Sequence, residues 1–569
     1  MKRFILFFLC LSWIIPFYGQ VLTEFEQLVQ ELQLDVNVTD YSEALDIKLD
    51  EPQLAYANLT GITDLPKSKN KIQKACLEFY DGVGHYFRKQ ILIHGQGGYT
   101  LRHPKCNASF TFCEEESGDI TTNIRFGNWV SQDGFHLKAF YTDFSRGIGE
   151  ICYKMFAKIV EDRLPYWERG GYMNSSRARC FPDGFPCILY LNGQFHGIYA
   201  WQLKKNHKNM NMEKHEATHI HLDGNLSDNN LFRGFINWSQ FEVRNPQNLE
   251  TALGLPYDNN HPSELKAGEV KSAILRLSSY YGELQALESM GARPDEIRTR
   301  FEECFDLESL LDYVVFFYFT ANGDGSLKNW QWFTYDGTKW MVTPYDLDQC
   351  LGLGLYGQVR GSNLPVENLT TGPFYWLNLY YQDEICERWK ELRQSGVLSG
   401  ETLVPIAVNW CDRIGSYFYE LERQRWPLSP CYCEPICNAN WQPYDQWDNY
   451  FAMPDYDSGT TYQTGDIVKL QGRLWQATGT TCGVDPFVRN AQPDSIQRLE
   501  TWIPDRIAFL DKVFGYHDET GFEQHIPNHQ EDEVIAIYTL SGIRVETPSR
   551  GVYIVRYRNG STRKVFFSR

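Results

Sequence analysis

Asn322-Gly323-Asp324-Gly325-Ser326-Leu327-Lys328-Asn329-Trp330, running on through Gln331–Val342 to Thr343-Pro344-Tyr345-Asp346-Leu347-Asp348, is the stretch from which the rest of this chain can be read. Near its centre, Asp336-Gly337 lies between an arm rich in Trp, Phe and Tyr and an arm rich in Trp, Met and Val. That is the signature of a β-hairpin with a two-residue turn. A turn that pairs Tyr335 with Thr338 carries the register outward until Asn329 lies across from Pro344. Cross-strand partners share a face, and so do residues two apart on one strand. Asn329 and Asp346 are therefore expected on one face at the open end of the hairpin, with Asp324 just upstream.

Two carboxylates and an amide at one rim suit phosphoryl transfer. One carboxylate orients the attacking hydroxyl, while the amide oxygen and the second carboxylate hold divalent ions that bridge nucleotide phosphates. The D-x-x-x-x-N spacing of Asp324 and Asn329 is common by itself, and the hairpin with its terminal Asp346-Leu347-Asp348 adds the weight. Upstream, His94-Gly95-Gln96-Gly97-Gly98-Tyr99 follows an apolar strand. Glycines let backbone N–H groups approach phosphate closely. Lys105 and Lys138 come next, and either can reach a phosphate. A polysaccharide hydrolase with paired acids fits less well, because these acids accompany an Asn and a glycine turn.

Composition narrows the setting. The chain has 569 residues, room for two to four domains, and 43% hydrophobic residues, enough for a sizeable core. A net charge of −18 argues against nucleic acid or an anionic membrane surface as the main partner. Residues 1–19 read as a secretory signal: Lys2 and Arg3, the apolar run Phe4–Phe17, then Tyr18-Gly19 before Gln20. No later apolar run is long enough to span a membrane. Without Cys10, 14 of the 15 cysteines remain, an even number for an oxidising compartment. Cys106 with Cys113 and Cys180 with Cys187 could close short disulfide loops. Cys431, Cys433, Cys437 and Cys482 form a local group, better suited to disulfides than to zinc.

The order of elements predicts an α+β domain, strands first and helices later. Alternation marks an edge strand around Ala44–Leu49, and further strands cover Lys74–Phe79, Tyr86–His94 and Ser109–Phe112. A helix is expected over Phe144–Arg163, capped by Asp143, and a hairpin over Pro186–Ala200 about Asn192-Gly193. Helices dominate Glu269–Phe319 and Gln382–Trp426. Residues 431–497 read as a small β module inserted before a last helix at Trp502–Phe514, residues 517–531 as a linker, and residues 532–569 as strand-dense.

The pieces HGQGGYTLRHPK, LKAFYTDFSR, YLNGQFHGIYAWQLKK, ANGDGSLKNW and PYDLDQCLG, in this order, resemble the spore-coat protein H (CotH) kinase family. The likeness covers roughly Leu45 to Pro430 and resumes near Trp502, so the family domain would occupy 20–430 and 498–516. It implies an atypical, two-lobed protein-kinase-like fold that uses ATP with Mg²⁺ or Mn²⁺ to phosphorylate Ser or Thr hydroxyls of exported proteins. By motif, Asp324 would be the catalytic-loop Asp, Asn329 and Asp346 metal ligands, and Asp348 an auxiliary acid at the metal. Gly95, Gly97 and Gly98 would cradle phosphate. Related sequences carry a basic pair where this chain has Lys105-Cys106, which leaves the pocket lysine between Lys105 and Lys138. Tyr345 stands where the family usually has Trp.

Two flanking resemblances complete the reading. Tyr462–Val468 with Gly472–Ala477 is similar to small chitin-binding-type modules, with Trp441, Tyr462 and Trp475 as candidate faces for stacking on sugar rings. The run from Ile537 to Val565 resembles the β-sandwich sorting domain of type IX secretion substrates. It implies passage across an outer membrane to the cell surface or beyond, with the secretion machinery as a partner. The competing reading is a non-catalytic surface glycan-binding protein or adhesin on a kinase-like scaffold.

Overall fold

The computed structural model describes residues 22–33, 37–113, 121–143, 145–162, 176–224, 230–232, 236, 238, 241–247, 249, 267–326, 328–354, 359–364, 372–426, 436–437, 440–444, 452–470, 473–488, 495–517, 534–539, 544–545, 551–557 and 562–567. The signal segment with Cys10, the linker beyond residue 517, Phe144, Arg163, Cys431, Cys433 and the Cys437 side chain lie outside this set.

Seven strands close into a barrel: β1 (Ala55–Thr60), β2 (Gln73–Tyr80), β3 (His85–Gln96), β4 (Asn107–Phe112), β5 (Gly134–Lys138), β6 (Gly184–Leu191) and β7 (Gln194–Leu203). The ring runs β1-β2-β3-β4-β5-β7-β6 and returns to β1 through a parallel pairing of Ala55–Leu59 with Cys187–Leu191. Alternation drives it. Along β3, Phe87, Ile91 and Ile93 point into the barrel, with residues at least partly exposed between them. The interior is aromatic: Trp201 lies 5.1 Å from Phe79, 5.0 Å from Phe110 and 5.3 Å from Phe135, centre to centre. The β6–β7 hairpin turns at Asn192-Gly193 as expected, both at positive φ. The Ala44–Leu49 segment forms a strand, Asp46–Leu49, parallel to Asn123–Phe126.

The second core is largely helical. Helix α1 is Glu24–Gln33; α2, Ile148–Glu161; α3, Gly268–Ser289; α4, Pro294–Cys304; α5, Leu307–Thr320; α6, Pro373–Tyr380; α7, Gln382–Gln394; α8, Gly400–Arg425; and α9, Ser495–Val513. Helix α2 starts later than the apolar spacing suggests, because Asp143 turns back to accept from the Gly147 and Ile148 amides at 2.8 Å each. Helix α5 is predominantly apolar and buried from Ser309 to Thr320, as a central helix must be. Against these helices lies an antiparallel sheet of β8 (Ile220–Gly224), β9 (Phe241–Asn245), β10 (Trp330–Thr334) and β11 (Met341–Pro344), in the order β9-β8-β10-β11. The α+β class holds. The strand-rich body is a closed barrel, which the two-lobed reading did not anticipate.

The insert has its own small core of Trp441, Tyr462, Val468, Trp475 and Ala477, and rests on the main body where Leu474 meets Tyr141 and Trp426. Near the C-terminus the described residues form one four-stranded antiparallel sheet, Val534–Thr539, Arg544–Val545, Gly551–Tyr557 and Thr562–Phe567, with no second layer described. Among the described residues no helix is long and apolar enough to cross a membrane.

The expected short disulfide loops are corrected. All eleven described cysteine side chains are thiols. Cys106 and Cys113 flank β4 and so stand about 20 Å apart, far beyond the ~6 Å Cα separation that a disulfide spans. Cys180 is buried in the helical core and Cys187 in the barrel core, on separate sides of the wall.

Candidate functional site

Helix α5 ends at Thr320, where Ala321 adopts a left-handed conformation (φ 51°) and directs the chain into a tight turn at Gly323–Ser326. Tyr313 Oη donates to the Gly325 carbonyl at 2.9 Å and pins that turn to the helix. This places Asp324 beside the start of β10. Its Oδ2 accepts from Asn329 Nδ2 at 2.7 Å and Gln349 Nε2 at 3.3 Å, and pairs with Lys328 Nζ at 3.1 Å. All three of these contacts with described residues use Oδ2.

The hairpin register differs from the expected one by a residue: Trp330, not Asn329, pairs with Pro344. The connection is wider than two residues because Thr334 and Asp336 side chains capture the amides of Gly337, Thr338 and Lys339. A one-residue slip puts every side chain on the other face. Asn329 then lies across from Tyr345, whose amide donates to the Asn329 carbonyl at 3.0 Å. Asn329 and Asp346 nevertheless converge, since both have positive φ (61° and 54°), leave the pleat, and line one cleft. Asn and Asp enter this conformation more easily than most residues.

The cleft has two cavities, ≈ 440 Å³ and ≈ 320 Å³, which share Gln96, Gly97, Gly98, Asn329 and Asp346. The glycine turn is thus where it was expected. Gly97 has φ +97°, and a Cβ there would lie 2.1 Å from Thr100 Oγ1. Gly98 has open space where a Cβ would be, so its backbone is accessible from the cleft. The smaller cavity is also lined by Asp143, Asp324, Lys328, Lys138 and Asp348.

The two candidate lysines separate. Lys105 Nζ is fully used: it donates to the carbonyls of Ala139 (3.2 Å) and Ile198 and pairs with Glu422 at 2.7 Å, 4.5 Å above the Tyr199 ring. Glu422 also takes Arg146 Nε at 2.9 Å and the Ile198 amide at 2.8 Å. Burial pulls the Lys105 ammonium down to about 7, only partly offset by Glu422. In this structure Lys105 therefore ties the barrel to Glu422, with its Nζ donors engaged by protein groups. Gly197 (φ +151°) permits this knot, since a Cβ there would sit 2.8 Å from Glu422 Oε2. Lys138, at the end of β5, has Asp346 as its hydrogen-bond partner, at 3.3 Å. Burial opposes its charge, but the carboxylate of Asp346 and the groups around it hold it above the usual lysine range.

Burial first, then the charge of Asp346, pushes the Asp348 carboxyl up to about 8. A cation would relieve the repulsion between these two carboxylates beyond what Lys138 supplies. Asn329, Asp346 and Asp348 offer hard oxygen donors, which suit Mg²⁺ or Mn²⁺. Among the described residues no three His, Cys, Asp or Glu side chains are gathered closely enough to hold a metal themselves. Phosphate oxygens and water would complete such a shell, as is usual for Mg²⁺.

Four residues near the cleft escaped the sequence reading. Glu150 on α2 is buried behind Lys138, accepts from Gln202 Nε2 at 2.6 Å, and is pushed up to about 8 by burial and then by Asp183. An acid in the first turn of a helix whose apolar face is buried was the signal available. Lys205, Asp223 and Arg244 form the wall of the larger cavity: Asp223 pairs with Lys205, with Arg244 Nη2 at 3.1 Å, and accepts from Gln331 Nε2 at 2.7 Å. They come from β8, β9 and the end of β7, and nothing in their spacing announces the contact.

The sugar-stacking role is corrected as well. Trp441, Tyr462 and Trp475 are 2%, 6% and 0% exposed and form the core of the insert. Trp441 Nε1 donates to the Val484 carbonyl at 3.0 Å and Trp475 Nε1 to that of Leu470 at 3.1 Å. A module this small must use its aromatics to exclude water, so they turn inward with Val468 and Ala477. Compared with known families, residues 93–451, more than half of the chain, match the model described as CotH kinase protein. No curated protein matches the chain.

Proposed function

Because the chain belongs to the CotH kinase protein family, we propose that it transfers the γ-phosphoryl group of ATP to Ser or Thr hydroxyls of exported proteins. The observation that carries this reading is the convergence of Asp324, Asn329, Asp346 and Lys138 beneath the Gly97-Gly98 turn. A hydroxyl entering beside Asp324 donates its hydrogen bond to Oδ1. As its oxygen bonds to the γ-phosphorus, the bond to the β-bridging oxygen breaks, ADP leaves, and the proton passes to the Asp324 carboxylate. Lys328 and Gln349 hold that carboxylate in one orientation. Lys138 and the Gly98 backbone supply positive charge and N–H donors for the phosphate oxygens. Asn329, Asp346 and Asp348 would hold Mg²⁺ or Mn²⁺, which would supply positive charge to the phosphates. Labelling from γ-labelled ATP with Mg²⁺ or Mn²⁺ is expected for the wild type and lost in Asp346→Ala; equal labelling by both would remove the proposal.

The basic-then-apolar residues 1–19 and the likeness of 532–569 to type IX sorting domains support export to the cell surface or medium. Removal of 532–569 is expected to trap the protein in the periplasm, as cell fractionation would detect. A glycan-binding adhesin lacks its expected stacking faces in the insert, so no observation favours that reading.

A further inference from the structure

In-line displacement sets the attacking and leaving oxygens on opposite sides of the transferred phosphorus. Asp324, which meets the attacking hydroxyl, lines the smaller cavity but not the larger. The two share the glycine turn, Asn329 and Asp346, where the transferred group would lie. On the phosphotransfer reading, the acceptor then enters through the smaller cavity and the leaving diphosphate occupies the larger.

The chemistry of the larger cavity agrees. Its described walls carry Lys69, Lys204, Lys205 and Arg244 against Asp223, Glu242 and Asp346, whereas acids outnumber cations in the smaller one. Lys205 and Arg244 both lean on the single buried carboxylate of Asp223, and Lys205 Nζ lies 3.3 Å from the centre of the Tyr345 ring. At the same wall His136 Nδ1 and Gln96 Oε1 are buried without a hydrogen-bond partner among the described residues. Among the described lining residues Tyr345 is the one aromatic ring outside the histidines, and no aliphatic side chain offers a slot for a base. Pockets that recognise a base by shape are largely apolar.

We propose that the larger cavity seats the nucleoside-diphosphate leaving group, that Lys205 and Arg244 bind its phosphates, and that the donor is recognised by phosphate rather than by base. The assignment rests on the phosphotransfer reading but fails separately from it. Calorimetry on the full chain with Mg²⁺ is expected to show ADP and GDP binding within about tenfold of each other. Lys205→Met weakens both alike by about tenfold or more, Lys205→Arg recovers most of the loss, and KM for ATP rises more than kcat falls. Arg244→Gln, at a partly exposed side chain that the core does not need, weakens both in the same direction. A preference for ADP over GDP beyond about a hundredfold, or unchanged affinity in both variants, overturns the inference while leaving phosphotransfer standing. No nucleotide binding by the wild type overturns the phosphotransfer reading, and the inference with it.

Discussion

Lys105 and Lys138 are 1% and 5% exposed, stand on walls of one cavity, and each faces a carboxylate, yet they do opposite things. Lys105 spends its three N–H bonds on two carbonyls and Glu422, and Glu422 is itself closed by Arg146 and a backbone amide. Lys138 meets an Asp346 side chain that is 38% exposed and has room for other partners. A buried cation with every donor satisfied is a tie between elements, here joining barrel, loop and α8. A buried cation with a single, half-solvated partner is available for exchange with a ligand. Burial does not distinguish the two roles; completeness of hydrogen bonding does.

Breaking the closed knot should cost the most. Lys105→Met leaves Glu422 buried beside Arg146 alone and is expected to destabilise the fold by about 3–5 kcal/mol in urea unfolding. The double variant Lys105→Met/Glu422→Gln should cost less than the sum of the single ones, since it removes both charges together. The open pair should respond in activity instead. Lys138→Met is expected to lower phosphotransfer by about 10²–10³-fold with little change in Tm, and an equal loss of stability in both variants would erase the contrast.

The smallest effect tests Glu150, the buried acid near Lys138 whose carboxyl burial pushes up to about 8 from 4.5. Below 4.5 both folded and unfolded chains hold the proton and Glu150 imposes no penalty. Between 4.5 and 8 the unfolded chain releases it first, so stability falls as pH rises through that window and levels off above it. Glu150→Gln should flatten that slope and add on the order of 1–3 kcal/mol near pH 7. Thermal unfolding of both proteins from pH 4 to 9 reads the difference directly.

The insert supplies a second contrast with the main body. The likeness to chitin-binding-type modules marked Trp441, Tyr462 and Trp475 as a set, and they are one, but as a core rather than a surface. The periodicity of a short strand says which residues share a face, not whether another layer covers it. The hairpin of the site failed and succeeded for related reasons. Its strands and open-end acids were legible from alternation and from Asp336-Gly337. Its register was not, because side-chain capture of the turn amides lengthened the connection by chemistry that a two-residue template ignores.

By itself the sequence determined the α+β class, the main helices and strands, the glycine turn, and the acidic side of the cleft with Asp324, Asn329, Asp346 and Asp348. These depend on local periodicity and on motifs within a few residues of one another. Closure of the barrel, the different partners of Lys105 and Lys138, the burial of Glu150 and the joining of Lys205, Asp223 and Arg244 were decided only in three dimensions. Each is a contact between groups distant in the chain: Glu422 is 317 residues from Lys105, and Asp346 is 208 from Lys138. Local preference carries no information about such partners, and for a buried charge the partner is what sets the role.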